Sequence, residues 1–228
     1  MQHVVRSGDY IHVDVERARS RIRSGRVAFD AALVLEEAGE LGSAFERTVE
    51  AFERTGIASS LSIATLKRMA VNPTTLVLAW ANAESPPVDA ALRLARSVAG
   101  VIGNAILSRA ATDVTSGLSL SAWKWPQCPC CGASPDLALA SDTRRTLVCW
   151  RCDTMWRTED RGCLGCGASG APTIARVPSP YLGYELAICN SCGRYLKERR
   201  GSPSHELLVE RTLTASLDEA AQERGLRA

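Results

Sequence analysis

No cysteine occurs before Cys128, although the 228 residues contain 9. Thiol and metal–thiolate chemistry is thereby excluded from the first half and concentrated in the second. An excess of charge is missing as well: the net charge is +2, spread evenly along the chain. Nucleic-acid modules usually carry a basic domain or stripe, so this balance weighs against that class. Long apolar runs are lacking. The uncharged stretch 71–83 contains Asn72 and Pro73, and the stretch 97–108 lies between Arg96 and Arg109. Both fall short of the ~20 residues a bilayer span requires, so no membrane span is expected. The opening residues, MQHVVRSGDYIHVDVER, have no apolar h-region, and no export signal is expected. The chain is therefore expected to be soluble and cytoplasmic, where thiols stay reduced and clustered cysteines read as metal ligands or redox groups, not staples. Histidine is scarce, and His3, His12 and His205 show no ligand spacing. They read as ordinary surface residues.

Apolar residues are plentiful, at 46%, enough for a real core. Up to about residue 122 their spacing is helical. Leu41, Phe45, Val49 and Phe52 recur at helical intervals, and Ser43 with Glu46 fits a capping box. Gly39 and Gly42 are expected to break this helix from an earlier one holding Phe29 and Leu33. Residues 60–71 predict a short helix stopped by Asn72 and Pro73, and Pro73 suits the first turn of the next, 74–82. Pro86 and Pro87 open the strongest helical pattern, with a stripe of Val88, Ala91, Leu92, Ala95, Val98, Ala99, Ile102, Ala105 and Ile106. Gly100 and Gly103 on it permit close helix approach. Nothing here resembles a catalytic constellation; a helical bundle is expected. From about His205, Leu207, Leu208, Arg211, Leu213 and Leu217 predict a further helix, with residues 219–224 as a solvated face, packing back on the bundle or on the cysteine-rich part.

Composition changes abruptly over residues 119–127. Beyond them stand four Cys-x-x-Cys pairs: Cys128/Cys131, Cys149/Cys152, Cys163/Cys166 and Cys189/Cys192, with Cys130 left over. Two cysteines so spaced place both sulfurs on one side of a tight turn, and two such turns complete a tetrahedral S4 site. Gly132, Gly167 and Gly193 follow three of the pairs and supply the positive φ such a turn needs. Asp153 takes that place in the fourth. The interval 132–148 has zinc-ribbon length and hairpin character, with strands at 137–140 and 146–148 around Ser141, Asp142 and Thr143. The interval 167–188 also reads as a hairpin, 174–177 and 184–188 flanking Pro178, Ser179 and Pro180. Residues 153–162 carry charge and no clear strand pair; they read as a connector. The expected pairing is therefore sequential, with Cys128, Cys131, Cys149 and Cys152 forming one site and Cys163, Cys166, Cys189 and Cys192 another. A nested pairing, inner with inner and outer with outer, is the alternative. The spare thiol Cys130 is read as unligated or as an alternative ligand.

An S4 set accepts zinc or iron and cannot separate them. Its negative charge calls for nearby cations, and Arg144, Arg145, Arg151, Arg157 and Arg161 surround the first site in sequence. Trp150 and Trp156 are expected to cover it. The fold class expected is α+β: a helical domain (1–122), two small rubredoxin-like or zinc-ribbon metal modules (123–160 and 161–204) and a C-terminal helix (205–228).

The motifs Cys128-Pro-x-Cys131-Gly132, Leu147-x-Cys149-x-x-Cys152 followed by Trp156, Cys163-x-x-Cys166-Gly167 and Cys189-x-x-Cys192-x-x-Tyr195-Leu196-Lys197 together resemble the formate dehydrogenase accessory (formation) protein family. The end of the chain, LDEAAQERGLR at 217–227, is similar to the way that family ends. The resemblance covers 123–228. It implies a cytoplasmic assembly factor, not an enzyme, with a helical N-terminal part and two rubredoxin-like modules. It further implies two metal ions, iron favoured and zinc allowed, held by the eight paired cysteines. The implied partner is the catalytic subunit of a respiratory formate dehydrogenase, with room for self-association. The chain departs from the pattern at Cys130 and at Met155, where an acidic residue is common. A nucleic-acid-binding zinc-ribbon protein is the alternative, resting on the arginines interleaved with Trp150 and Trp156. A thiol–disulfide oxidoreductase fits less well, because the pairs come in ligand-ready sets without a βαβ pattern.

Overall fold

In the computed structural model, which describes residues 13–227 except 40, 57, 70, 83–88, 142–143, 160–161, 171–172 and 180–182, helix α6 (Ala90–Thr115) is the axis of the first half. Its Asp89 cap accepts the backbone N–H groups of Ala91 and Leu92, satisfying donors the helix itself cannot pair. The expected stripe is buried at Ala91, Ala95, Val98, Ala99, Ile102 and Ile106, and it continues through Leu107, Ala110, Ala111 and Val114. Leu92 and Ala105 are only half-buried. Pro86, Pro87 and Val88 lie outside the described residues. Around α6 pack α1 (Val15–Arg23), α2 (Ala31–Glu36), α3 (Leu41–Thr55), α4 (Ser60–Arg68) and α5 (Pro73–Ala81). By length and apolar content α6 would suffice to cross a membrane. Its position as the core helix of this bundle accounts for the same composition.

Side-chain caps set most of these starts: Asp14, Asp30, Ser59 and Asn72 each accept an N–H from the first turn, and Pro73 occupies the first helical position as expected. Several expectations need correction. Helix α1 was not legible, because only Ala18 and Ile22 are buried on an otherwise charged helix. Helix α3 begins at Leu41, so Gly42 and Ser43 lie inside it and Ser43–Glu46 does not cap it; burial of Leu41, Ala44 and Phe45 sets its entry. Helix α2 starts after Phe29, and its Leu33 points to solvent. Helix α4 ends at Arg68, well before Asn72.

Gly100 and Gly103 do serve close approach, against Trp80 of α5. A Cβ at Gly103 would lie 2.4 Å from the Trp80 ring, and one at Gly100 2.9 Å from its Nε1. Gly103→Ala is expected to lower stability by about 1–3 kcal/mol through overpacking. Gly42→Ala, with open space at the new Cβ, is expected to raise it by up to ~1 kcal/mol through helix propensity. Urea unfolding of the two variants should show shifts of opposite sign; a shared sign would contradict the packing described.

The second half builds one sheet from β1 (Pro135–Ala140), β2 (Arg145–Cys149), β3 (Met155–Thr158), β4 (Ile174–Ser179), β5 (Tyr184–Cys189) and β6 (Tyr195–Arg200), in the order β3-β2-β1-β6-β5-β4. Each half of it is an antiparallel three-stranded unit. The two units join through the parallel pair β1–β6, where Leu137 faces Lys197 and Ala140 faces Arg200. The stretch after Cys152 is thus not a plain connector: Trp156 pairs with Leu147 in β3, a strand too short to show a pattern. The expected turn at Pro178 and Ser179 is strand; Pro178 sits on the outermost strand, where its missing N–H costs no ladder bond. Asp142, Thr143 and Pro180 of the two turns lie outside the described residues.

Alternation along the strands gives two faces. Leu137, Val148, Tyr184, Leu186 and Tyr195 lie beneath two C-terminal helices, α7 (Leu207–Leu213) and α8 (Ala215–Glu223). The tail is therefore two helices meeting at Thr214, not one. Ala138, Leu147, Trp156 and Leu196 on the other face share a core with the bundle. On that same face Arg145 of β2 crosses the small side chains of β1 to pair with Glu198 of β6. Glu198 also meets Arg176 of β4, which pairs with Glu185 of β5. Glu198 and Arg145 are almost fully buried.

Glu210 of α7 is buried too, and accepts the Tyr184 hydroxyl at 2.8 Å and the N–H groups of Ser204 and His205 at 2.6 and 2.9 Å. Burial pushes its carboxyl up, but these donors outweigh it and hold it below the usual glutamate range. A carboxyl lower in the folded state stabilises above its unfolded value, roughly 4.3, and that contribution is lost as pH falls through the folded value. Thermal midpoints should therefore drop more steeply on acidification in the wild type than in Glu210→Gln, which starts lower at neutral pH. Parallel pH curves for the two would count against this role.

Candidate metal centres

Four turns of one design carry the cysteines. In each, the N–H of the residue after the second cysteine bonds back to the first cysteine's carbonyl: Gly132 to Cys128, Asp153 to Cys149, Gly167 to Cys163 and Gly193 to Cys189, at 2.8–3.2 Å. That residue has positive φ every time, 75°, 57°, 74° and 70° in chain order. Asp153 is the non-glycine residue with positive φ among those described, in the place the sequence assigns it. Closing bonds from Cys128 N–H to Ala133, Cys149 to Thr154, Cys163 to Ala168 and Cys189 to Arg194 repeat as well. Backbone N–H groups of Cys130, Arg151 and Gly165 point at the sulfurs of Cys128, Cys149 and Cys163, each at 3.4 Å.

The turns assemble in sequence order. Sulfurs of Cys128, Cys131, Cys149 and Cys152 form one group, and those of Cys163, Cys166, Cys189 and Cys192 the other. The nested alternative does not occur. Across the groups Cys128–Cys152 and Cys131–Cys149 are 3.5 Å apart, Cys163–Cys192 3.5 Å and Cys166–Cys189 3.6 Å. A disulfide requires about 2.05 Å, so these are not bonded pairs. A tetrahedron with metal–sulfur bonds of about 2.3 Å has edges of ~3.8 Å; the spacing suits one ion in each group.

The thiols are graded in acidity. Burial pushes the Cys128 thiol up, but hydrogen bonds from Cys130, Cys131, Cys149 and Cys152 outweigh it and hold it well below the ordinary value. Burial, with Cys128 and Cys131 beside them, raises Cys149 and Cys152. In the second group burial pushes Cys189 up, yet N–H donors of Cys192 and Ser191 and the thiols of Cys166 and Cys163 bring it down to about 6. The Arg194 N–H pulls Cys192 down, but burial and the three neighbouring thiols push it to about 12. One thiol in each group is thus ready to ionise first, as thiolate ligation requires. Cys130 is buried beside Cys128 and belongs to neither group; contact with Cys128 and burial push it up, so it stays protonated.

The first group is wedged into the molecule. Ala28 and Phe29 N–H groups bond to the carbonyls of Pro129 and Cys130 at 2.9 and 3.1 Å. From α6, Asn104 donates to the Arg151 carbonyl at 3.2 Å and Ser108 to Asp153 at 3.1 Å. Trp150 meets Trp80 edge-on, ring centroids 5.2 Å apart. From the opposite side Arg211 of α7 binds Asp136, Asp153 and the Cys149 carbonyl at 2.6–2.8 Å. The second group sits at the rim, where Arg227 donates to the Cys192 carbonyl at 2.8 Å and its backbone bridges Gly193 and Tyr195.

Of the expected compensating arginines, Arg151 reaches the Cys131 carbonyl at 3.5 Å. Arg145 is instead the buried partner of Glu198 and also donates to the Gly162 carbonyl at 3.1 Å; Arg161 lies outside the described residues. Trp156 is buried and Trp150 half-buried, so neither these rings nor Arg145 offer an exposed stacking surface for bases. His205 is exposed and near Glu210, while His3 and His12 lie outside the described residues. Sequence reasoning missed Arg211 and Arg227, since both stand far along the chain from the turns they hold.

A helical bundle joined to a sheet with two tetrathiolate-ready groups defines a cysteine-ligated metal-binding fold. That fold is shared with the FdhE protein from Pseudomonas aeruginosa, whose crystal structure superposes with a TM-score of 0.65 over 95% of this chain and 78% of that one, at 18% sequence identity. No protein-family profile and no curated protein sequence matches the chain.

Proposed function

We propose that the chain is a cytoplasmic metal-binding accessory protein that engages the catalytic subunit of a formate dehydrogenase during its maturation and is not itself an enzyme. The observation that carries this reading is the pair of sulfur tetrahedra in a fold shared with FdhE. Cys128, Cys131, Cys149 and Cys152 would hold one ion, and Cys163, Cys166, Cys189 and Cys192 the other. A bound ion supplies either a structural cross-link, as zinc, or a one-electron centre, as iron. Protein fills all four positions, which leaves no open coordination site for activating water. The turns, Arg211 and Arg227 hold the sulfurs in place, and the helical domain supplies much of the partner surface.

Tagged protein should recover the catalytic subunit from a host that makes it, and deletion of the gene should abolish formate dehydrogenase activity while the subunit is still synthesised. Normal activity in the deletion strain with no subunit recovered would remove the proposal. Absorption spectra with elemental analysis after oxygen-free purification identify the ion: a ferric tetrathiolate is coloured, zinc is not.

A further inference from the structure

The two groups differ in what surrounds them. Cys128, Cys149 and Cys152 are at most 1% exposed and Cys131 7%, and all four belong to the core cluster that contains Phe29, Ile102 and Leu107 of the helical half. In the second group Cys163 and Cys189 are buried, Cys192 is half-buried and Cys166 is exposed. None of these four belongs to a core cluster formed by the described residues. The first group is held on two sides by α6 and α7. The last turn of the second is held by Arg227, through its side chain on Cys192 and its backbone on Gly193 and Tyr195.

Resting on the metal-site reading above, we infer that the centres have different tasks: the first is a permanent structural centre, and the second is an exchangeable centre. Occupancy of the second is coupled to docking of the segment carrying Arg227. Ligand exchange at a tetrathiolate requires an incoming ligand to reach the ion or a sulfur to swing away. In the second group one ligand residue, Cys166, is itself exposed at the protein surface. At the first group the same event demands opening of the shared core, which is an unfolding event of much higher free energy than a local one. The Arg227 contacts join Cys192, Gly193 and Tyr195 to the segment that follows α8, so loss of the ion frees this turn and the clamp together.

The test uses the full-length protein loaded with two equivalents of zinc, challenged with excess EDTA, with iodoacetamide added and alkylated peptides mapped by mass spectrometry. One equivalent should leave at least about tenfold faster than the other, and Cys163, Cys166, Cys189 and Cys192 should be alkylated in that fast phase while Cys128, Cys131, Cys149 and Cys152 stay protected. Arg227→Ala should speed the fast phase by about tenfold, the worth of one charge-assisted hydrogen bond, and leave the slow phase unchanged. Release of both equivalents in one phase, or earlier alkylation of Cys128, would overturn the inference. An unchanged fast phase in Arg227→Ala would overturn the clamp. Failure to bind any zinc or iron would overturn the metal-site reading as well, and is told apart by elemental analysis before the chelator is added.

Discussion

Cys152→Ser is expected to lose one of two bound ions and to unfold the first cysteine unit together with the bundle core packed on it. Cys152 is 1% exposed, its sulfur lies 3.0 Å from the Thr154 hydroxyl, and it sits in the cluster shared by bundle and sheet. A structural tetrathiolate ion contributes about 10–16 kcal/mol of binding free energy in small zinc domains, while a whole domain is net stable by only about 5–15 kcal/mol. Removing one ligand leaves three buried thiols without the cross-link that an ion would supply. The first unit should melt, and the contacts from Ala28, Phe29, Asn104 and Ser108 should go with it. Cys166→Ser, at the rim, should also lose one ion but keep a bundle that melts cooperatively. Elemental analysis and circular dichroism melting of the two variants separate these outcomes. After Cys152→Ser, Cys128 should become open to alkylation while Cys163, still ion-bound, stays protected. Two ions and an unchanged midpoint in Cys152→Ser would refute the first centre's structural role.

The second large effect is expected at Glu198. Its carboxylate lies in the middle of the sheet, 1% exposed, between Arg145 at 4% and Arg176. Glu198→Ala leaves Arg145 buried without its carboxylate, and breaking such a pair costs about 3–5 kcal/mol. Replacing both partners together, Arg145→Met with Glu198→Leu, should be far milder, because the desolvation of two charges is removed along with their attraction. Denaturant titration of the single and double variants decides the matter. A double variant as unstable as Glu198→Ala would mean that Arg145 acts chiefly through another contact, such as its bond to the Gly162 carbonyl.

Much of this was legible in the sequence where the signal is local. The turn residues Gly132, Asp153, Gly167 and Gly193, the sequential grouping of sulfurs, the stripe of α6 and Pro73 in the first turn of α5 all follow from neighbours within a few positions. What escaped depends on distant partners. Strand β3 has four residues and gains its identity by lying against β2. Strand β6 is marked only by Tyr195, Leu196 and Lys197, and its parallel partner β1 cannot be inferred from alternation. Arg211 and Arg227 look like ordinary surface charge until the tail folds back onto the turns. Arg145 read as charge compensation because its sequence neighbours are cysteines; its true partner is Glu198, brought close by the β1–β6 junction.

That junction also orders events while the protein is being made. When the first two cysteine turns have emerged from the ribosome, β1 can close on β2, but its other edge is bare until residues 197–200 are synthesised. An uncovered strand edge is a template for joining a neighbouring chain. The interval before the C-terminal strand arrives is thus the period in which this polypeptide is most open to faulty partnerships between nascent copies.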